Sequence, residues 1–289
     1  MVTPLDINDN IMKQSIRDHV NFLIKKGVNC LYPLGTTGEM HLLTVEERKK
    51  VAEIVVEEAN KRVTVFIHTG AMNQKDTIEL AKHANKIGAD GIGVVSPSFF
   101  SVNAREMEEY YLSVARSVPE DFPLYLYNIP QCSGNDLKPE TAERIAKQAA
   151  NVIGIKYSFA DMLRTFEYLK VNNGNFSVVS GCDKLFHEIL TMGCDGTISG
   201  ISSVYPEPFV AVYKAFNEKN LEEARKQQKI ANALADILRN GSNMAYFKAG
   251  LKMRGIDMGH MRKPLLDLTE DQTEELKNQL KSYSSIVGA

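Results

Sequence analysis

Residues 152–158 have the sequence VIGIKYS, and this stretch is the clearest guide to the fold. Its aliphatic residues follow one another without the alternation of a half-exposed strand, which predicts a strand buried on both faces of a parallel sheet. Together with a short first strand near residues 2–4, similar runs bring the predicted strands to eight. These runs occupy residues 29–35, 63–69, 91–97, 123–128, 176–182 and 196–202.

Longer amphipathic segments separate these strands, and two of them begin with a clear helix-start signal. Thr44 with Glu47, and Asn103 with Glu106, have the spacing of an N-cap and its reciprocal partner. Strand–helix alternation repeated eight times within 289 residues favours a closed barrel over an open doubly wound sheet. The absence of a G-x-G-x-x-G motif after the first strand also argues against a dinucleotide-binding fold.

After about Tyr205 the pattern becomes wholly helical, with helices predicted at residues 222–238, 243–253 and 270–282. We therefore predict an α/β protein with two parts. A (β/α)8 TIM barrel, which is the catalytic domain, occupies residues 1–220, and a C-terminal helical extension occupies residues 221–289.

The composition argues against several classes of protein. The 34 Lys and Arg residues and 36 Asp and Glu residues are scattered, so no basic stripe suggests a nucleic-acid partner. No apolar stretch approaches the roughly 20 residues that span a bilayer, and the first residues do not resemble a secretion signal. The four cysteines form no C-x-x-C pair, which favours reduced thiols in a cytoplasmic protein.

Lys156 is the most informative residue, because it interrupts a strand that is otherwise apolar. An ammonium group in a buried strand is costly unless it has a partner or a task. Burial favours the neutral amine, which attacks a carbonyl and forms a Schiff base. The alternative is a lysine at a strand end that extends its ammonium group to solvent.

Two more candidates lie where predicted strands end, the region of a barrel in which active sites are built. Tyr127 ends the strand before that of Lys156, so its phenol is a candidate proton shuttle; simple core packing is the alternative. Thr36, Thr37 and Gly38 form a small-residue turn whose hydroxyls and N–H groups suit a carboxylate. The six histidines form no metal-binding pattern, and we predict no metal site.

Four motifs resemble the dihydrodipicolinate synthase / N-acetylneuraminate lyase family of class I pyruvate aldolases. They are GTTGE at residues 35–39, YNIP at 127–130, GIK at 154–156 and SGCD at 180–183. The resemblance implies that Lys156 forms the imine and Tyr127 is the general acid/base. It also implies that Thr36 and Thr37 bind the pyruvate carboxylate, with Thr36 passing protons to Tyr127. A homotetramer (a dimer of dimers) that needs no metal or organic cofactor is implied as well.

Departures from the family pattern indicate which branch of the family, the synthases or the lyases, this chain resembles more. Synthases that condense pyruvate with aspartate semialdehyde carry an arginine two residues beyond the YNxP proline, where this chain has Cys132. They also carry an interface tyrosine where this chain has Phe99. The lyases are closer at residues 127–134, although they have a glutamate at the position of Lys184 and a serine at that of Gly200. Lys184 either meets an acidic substrate tail or is simply solvated.

These comparisons predict a substrate site formed by Thr36, Thr37, Gly38, Ser158, Gly181, Asp183, Lys184 and Gly200. We expect reversible cleavage of a 4-hydroxy-2-oxo acid, such as a sialic acid or a 2-keto-3-deoxy sugar acid, to pyruvate and an aldehyde. One alternative is dihydrodipicolinate synthase, which condenses pyruvate with aspartate semialdehyde. Another is a non-catalytic paralogue that only binds 2-oxo acids.

Overall fold

A computed structural model of the chain describes the backbone of residues 1–287 and the side chains of residues 1–283. Each strand pairs in parallel with the next strand along the chain, so the sheet has the order β1 to β7 and curls around one axis. The strands are β1 Cys30–Leu31, β2 Thr64–His68, β3 Gly91–Val95, β4 Leu124–Asn128, β5 Val152–Tyr157, β6 Ser177–Ser180 and β7 Gly196–Thr197.

Helices follow the strands and cover the outside of the sheet, as the alternating pattern predicts. The early helices are α1 Lys13–Lys25, α2 Val45–Ala59, α3 Gln74–Lys86, α4 Ala104–Ala115, α5 Pro130–Ser133, α6 Pro139–Gln148 and α7 Met162–Tyr168. The later ones are α8 Phe186–Met192, α9 Pro206–Asn217, α10 Leu221–Ile237, α11 Met244–Met253 and α12 Glu270–Val287. Residues 288 and 289 of the predicted extension lie outside the described residues. None of the described helices is long and apolar enough to cross a membrane.

The local signals in the sequence have the predicted structural effects. Capping boxes at Thr44 and Asn103 begin α2 and α4. All five residues of β3 and five of the six residues of β5 are buried, as expected for strands covered on both faces. Apolar side chains of α10, α11 and α12 belong to the same hydrophobic core as the strands. The C-terminal helices are therefore packed onto the barrel.

The prediction of a first strand near residues 2–4 is wrong. Pro4 has no N–H group to donate to a ladder. Leu5 forms only isolated bridges, one antiparallel with Ile11 and one parallel with Gly259. Its backbone N–H and C=O bond to Met258 and His260 of the C-terminal segment. The first residues are thus tied to the C-terminal part of the chain.

Candidate active site

A cavity of about 730 Å³ runs along the inside of the barrel, which is within the usual range for a small-molecule site. It extends from the carboxyl ends of the strands toward Thr64 and Asp195 at their amino ends. The predicted site residues that line it are Thr36, Thr37, Tyr127, Lys156, Ser158, Gly181, Asp183 and Gly200. Residues from five different strand ends, those of β1, β4, β5, β6 and β7, therefore share one cavity.

Lys156 points into this cavity from β5 and is only 7% exposed. Its Nζ lies 4.1 Å from the ring centroid of Tyr127 and 5.1 Å from that of Tyr32. No described residue forms a hydrogen bond or an ion pair with Nζ. The amine is thus enclosed by aromatic rings and remains available to a ligand, as a Schiff-base lysine requires.

The phenol of Tyr127 lies between Lys156 and the turn after β1. The β4–β5 register pairs Tyr127 directly with Lys156, and the tyrosine is 1% exposed. Its hydroxyl is 3.2 Å from Oγ1 of Thr36, so either group can donate to the other. The rings of His68 and Tyr127 pack perpendicular to each other at a centroid distance of 5.8 Å. A proton can therefore pass between Thr36 and a group bound at Lys156 through one buried phenol.

The small-residue turn contributes two of its three predicted members to the cavity. Thr36 and Thr37 line it, and their hydroxyls suit a carboxylate ligand. Gly38 is buried and is not among the lining residues; its carbonyl accepts a 2.8 Å hydrogen bond from Oγ1 of Thr3. The role that the structure gives Gly38 is therefore to hold the turn.

Asp183 is a carboxylate with spare hydrogen-bonding capacity inside the cavity. Its Oδ2 lies 3.4 Å from the N–H group of Ile201, whereas Oδ1 is buried and has no partner among the described residues. Burial raises the pKa of Asp183 to about 6, and hydrogen bonds from Ser199 and Ile201 and the charge of Lys156 offset part of this effect. A ligand hydroxyl that donated to Oδ1 would relieve the cost of burying it.

Two glycines keep neighbouring hydroxyl groups in the cavity wall. A Cβ at Gly181 would lie 1.8 Å from Oγ of Ser158, and a Cβ at Gly200 would lie 2.9 Å from Oγ1 of Thr37. Any larger residue at either position would displace a predicted substrate-binding hydroxyl. These glycines therefore contribute to the site because their lack of a side chain leaves room for the two hydroxyl groups.

The structure does not bring Lys184 into the cavity, where most of the other predicted site residues lie. Its ammonium group pairs with the carboxylate of Asp236 on α10, and its side chain is 42% exposed. Lys184 is not among the cavity-lining residues, unlike its neighbour Asp183. An opposite charge supplied by α10 holds the lysine outside, which favours its alternative role as a solvated surface residue.

The sequence analysis missed several residues of the cavity. Tyr32, whose ring lies against Lys156, falls within the predicted strand run of residues 29–35 and could have been predicted as an inward-facing aromatic residue. Asn240, Ser242, Met244 and Phe247 line the mouth from the C-terminal helices and the turn before α11. They lie more than 80 residues beyond Lys156 in the chain, and no local pattern marks them as site residues.

The charges of the cavity are few and unequal. Among the lining residues, Lys156 is the only cationic side chain, while Asp183 and Asp195 are acidic and no arginine is present. Across residues 1–283, no group of three or more His, Cys, Asp or Glu side chains is arranged to hold a metal ion. A ligand with one carboxylate near Lys156 and a neutral tail matches these charges best.

Known proteins resemble this chain over almost its whole length. A model of the dihydrodipicolinate synthetase family matches residues 1–283. A 4-hydroxy-tetrahydrodipicolinate synthase of Syntrophus aciditrophicus is 35% identical over 286 residues, which are 99% of this chain and 97% of that protein. An uncharacterized DapA-like lyase of Halobacterium salinarum is 34% identical over 280 residues, which are 97% of this chain and 91% of that protein.

Solved structures agree with these sequence matches. Dihydrodipicolinate synthase from Aquifex aeolicus superposes with a TM-score of 0.93 and 29% identity, covering 98% of this chain and 96% of its own. A variant of Sulfolobus solfataricus 2-keto-3-deoxygluconate aldolase in complex with L-2-keto, 3-deoxy-galactonate superposes with a TM-score of 0.91 and 25% identity. That likeness covers 99% of this chain and 95% of the aldolase. The predicted TIM-barrel fold is therefore confirmed.

Proposed function

The chain belongs to the dihydrodipicolinate synthetase family, and we propose that it is a class I aldolase that reversibly cleaves a 4-hydroxy-2-oxo acid to pyruvate and an aldehyde. The observation that carries this proposal is the unpaired, buried Nζ of Lys156 beside the Tyr127–Thr36 hydrogen bond. The relatives include proteins named as synthases and as aldolases, so membership in the family does not by itself identify the reaction.

In the proposed mechanism, Nζ of Lys156 attacks C2 of the substrate to give a carbinolamine. Tyr127 donates its proton to the carbinolamine hydroxyl, which leaves as water, and this gives an iminium ion and a Tyr127 phenolate. Tyr127 accepts the proton of the C4 hydroxyl as the C3–C4 bond breaks, and the bonding electrons move to the iminium nitrogen. The aldehyde leaves, and Tyr127 returns a proton to C3 of the enamine. Water then hydrolyses the remaining imine, which frees pyruvate and Lys156.

The substrate carboxylate is proposed to lie at Thr36 and Thr37, on the side of the cavity where Thr36 meets Tyr127. Hydroxyl and N–H donors can hold a carboxylate without an additional positive charge. This arrangement leaves the charge of the iminium ion as the main electrostatic feature at C2. Thr36 would also relay protons to Tyr127 across the 3.2 Å contact.

The tail of the substrate is proposed to be neutral and hydroxylated. Oδ1 of Asp183 accepts no hydrogen bond within the described residues, and Ser158 adds a hydroxyl to the same cavity. A second substrate carboxylate would meet Asp183 with no arginine to balance it, which costs free energy. This favours a sugar-acid-type substrate, with a sialic acid or a 2-keto-3-deoxy sugar acid as the leading candidates.

The second candidate function is 4-hydroxy-tetrahydrodipicolinate synthase, and its support is the 35% identity to a protein of that name. Cys132 weakens this candidate, because it lines the cavity mouth where the synthases carry a carboxylate-binding arginine. Phe99 has no hydroxyl to relay a proton. A non-catalytic paralogue that only binds pyruvate is a third possibility, which the intact Lys156 and Tyr127 disfavour.

A substrate screen tests the choice between these functions. Release of pyruvate is measured from sialic acid, 2-keto-3-deoxy sugar acids and 4-hydroxy-2-oxoglutarate, alongside condensation of pyruvate with aspartate semialdehyde. We expect the highest kcat/KM for an acid with a neutral polyol tail. A higher value for the aspartate semialdehyde reaction would instead identify a synthase, and binding of pyruvate without any turnover would indicate the paralogue.

We also propose a cytoplasmic homotetramer built as a dimer of dimers. Large apolar side chains on the surface of the monomer support an assembly, since Phe99 is 82% and Leu163 is 80% exposed. The four cysteines are unpaired, as is usual in reducing compartments. Light scattering on the purified protein would measure the mass, and a monomer would contradict the proposed assembly.

A further inference from the structure

The turn that carries Thr36 and Thr37 ends at a strained residue. Two short 3-10 turns, Thr36–Gly38 and Met40–Leu42, meet at Glu39, which has φ 59° and ψ 37°. These angles lie in the left-handed region, which glutamate rarely occupies unless its surroundings hold it there. The position of both threonines therefore depends on the contacts of Glu39.

Glu39 forms a buried ion pair with Lys248 of α11. The two side chains are 1% and 4% exposed, and Nζ of Lys248 lies 3.0 Å from Oε1 of Glu39. Lys248 also donates a hydrogen bond to the carbonyl of His260. Burial raises the pKa of Glu39 and lowers the pKa of Lys248, and the attraction between the two charges opposes both shifts. The attraction between the two groups therefore offsets part of the cost of burying each charge.

The same helix also reaches the cavity wall. Phe247, the residue before Lys248, lines the cavity, and its ring would lie 3.1 Å from a Cβ at Gly200. Farther along the C-terminal segment, Arg262 donates to the carbonyl of Leu42, at the other end of the turn region. Contacts from the C-terminal part of the chain thus hold this region at both Glu39 and Leu42.

We propose that the Glu39–Lys248 ion pair positions the Thr36–Gly38 turn, so that helix α11 sets the affinity of the site for the carboxylate of a 2-oxo acid. This inference rests on the proposed function, in which Thr36 and Thr37 hold that carboxylate. Glu39 and Lys248 act as positioning residues, because neither lines the cavity. The pair draws the end of the turn toward α11 and fixes Glu39 in its left-handed conformation.

A charge-neutral double variant separates positioning from simple packing. Removing one partner leaves a buried unpaired charge, whereas neutral residues of similar size in both positions often preserve stability. Glu39→Gln combined with Lys248→Met therefore fills the space without the ionic attraction. The readout is the pyruvate concentration that gives half-maximal borohydride trapping on the Lys156 peptide, measured by mass spectrometry, together with Tm.

We expect the double variant to fold and to need about 10-fold more pyruvate for half-maximal trapping, because small displacements of binding groups have large effects. Reductive trapping of the wild-type chain supplies the reference value. An unchanged half-maximal concentration in a folded double variant would overturn the inference. If the double variant does not fold, Glu39→Asp, which keeps the charge but shortens the side chain, should raise this concentration several-fold; no increase would overturn it too.

Arg254 provides a matched control at the C-terminal end of the same helix. It pairs with Glu207 on α9 and donates to the carbonyl of Val204, away from the turn. Arg254→Met should lower Tm while leaving the half-maximal pyruvate concentration unchanged; an increase equal to that of the double variant would contradict a specific role for the pair. Failure to label Lys156 in the wild-type chain would be a different result, because it would reject the proposed function and this inference with it.

Discussion

The two ends of the active-site cavity are built in different ways. At the reacting end, Lys156 and Tyr127 come from adjacent strands whose backbone register pairs them directly. At the tail end, Asp183 belongs to a turn, and Asn240 and Ser242 come from the segment that joins α10 to α11. The first group depends on the sheet, and the second depends on loops and on helices far along the chain.

This difference separates the residues that carry out the reaction from the residues that determine the substrate preference. Hydrogen bonds between strands hold the reacting groups, so a change at Lys156 or Tyr127 should affect chemistry with every substrate. The tail end is formed by loop residues, which tolerate substitution more readily than strand residues. Changes there should alter which aldehyde is accepted and leave the capture of pyruvate intact. The predictions below test this division, beginning with the largest expected effect.

Lys156→Ala should abolish trapping of pyruvate and lower turnover by about 10⁴-fold or more, as the loss of a covalent nucleophile commonly does. Met1, which also lines the cavity, has an N-terminal amine that donates to the carbonyl of Tyr32, and this amine lies on a different peptide from Lys156. Peptide mass spectrometry after borohydride treatment and a pyruvate-release assay measure the two effects. A persistent adduct in this variant would move the imine to another residue.

Tyr127→Phe should lower kcat by about 10²-fold or more, because it removes the proton shuttle but keeps the ring against Lys156. Its folding should be close to that of the wild-type protein, since the hydroxyl has one partner, Thr36. Steady-state kinetics with the best substrate of the screen provide the measurement. An unchanged kcat would remove Tyr127 from the mechanism.

Asp183→Asn should lower kcat/KM for the hydroxylated substrate by roughly 5- to 30-fold, which corresponds to the loss of a hydrogen bond to a charged acceptor. Trapping of pyruvate should change little, because pyruvate has no hydroxylated tail. Comparing the two readouts on one preparation shows whether the ends of the cavity are separable. A parallel loss of kcat/KM and of pyruvate trapping would mean that Asp183 supports the reacting end.

The same variant has a pH-dependent effect on stability whose sign follows from burial. The pKa of Asp183 is raised to about 6 in the folded chain, against an ordinary value of 3.8, so ionisation lowers the stability of the folded state. This cost is absent below about pH 4 and fully present above about pH 6. The stability of Asp183→Asn relative to the wild type should therefore increase between pH 4 and pH 7, by about 3 kcal/mol in total, since one pKa unit corresponds to about 1.4 kcal/mol. A Tm difference that is independent of pH would contradict the raised pKa.

Lys184→Met should have the smallest effect, with kcat/KM within about 2-fold of the wild-type value. The lysine is partly exposed and paired with Asp236, and exposed ion pairs contribute little free energy. Asp236→Asn is the matched variant and should be equally mild. A large loss of kcat/KM for an acidic substrate in Lys184→Met, but not in Asp236→Asn, would show that the lysine leaves Asp236 to bind the ligand.

The reacting end was predictable because its signals are local. An isolated lysine in an apolar strand and a tyrosine at the end of the preceding strand made Lys156 and Tyr127 candidates for one site, and the resemblance of four motifs to a known family favoured that interpretation. The fold was predictable for the same reason, since strand runs and capping residues such as Thr44 act over a few positions. The prediction of a short first strand failed because the backbone of Leu5 forms hydrogen bonds with residues more than 250 positions away.

The tail end was only partly predictable, because its geometry depends on contacts between distant segments. The direction of Lys184 is set by Asp236, which is 52 residues later in the chain. The mouth residue Asn240 and the ion pair between Glu39 and Lys248 likewise require the packed C-terminal helices. Such contacts leave no periodic or motif-level trace in a single sequence.

The central claim is that a secluded lysine captures the ketone of pyruvate. The direct measurement is to incubate the wild-type protein with pyruvate, reduce it with borohydride and determine the masses of its peptides. The proposed chemistry predicts a reduced pyruvyl adduct on the peptide that contains Lys156 and on no other peptide. A peptide map with unmodified Lys156 at saturating pyruvate would contradict the claim.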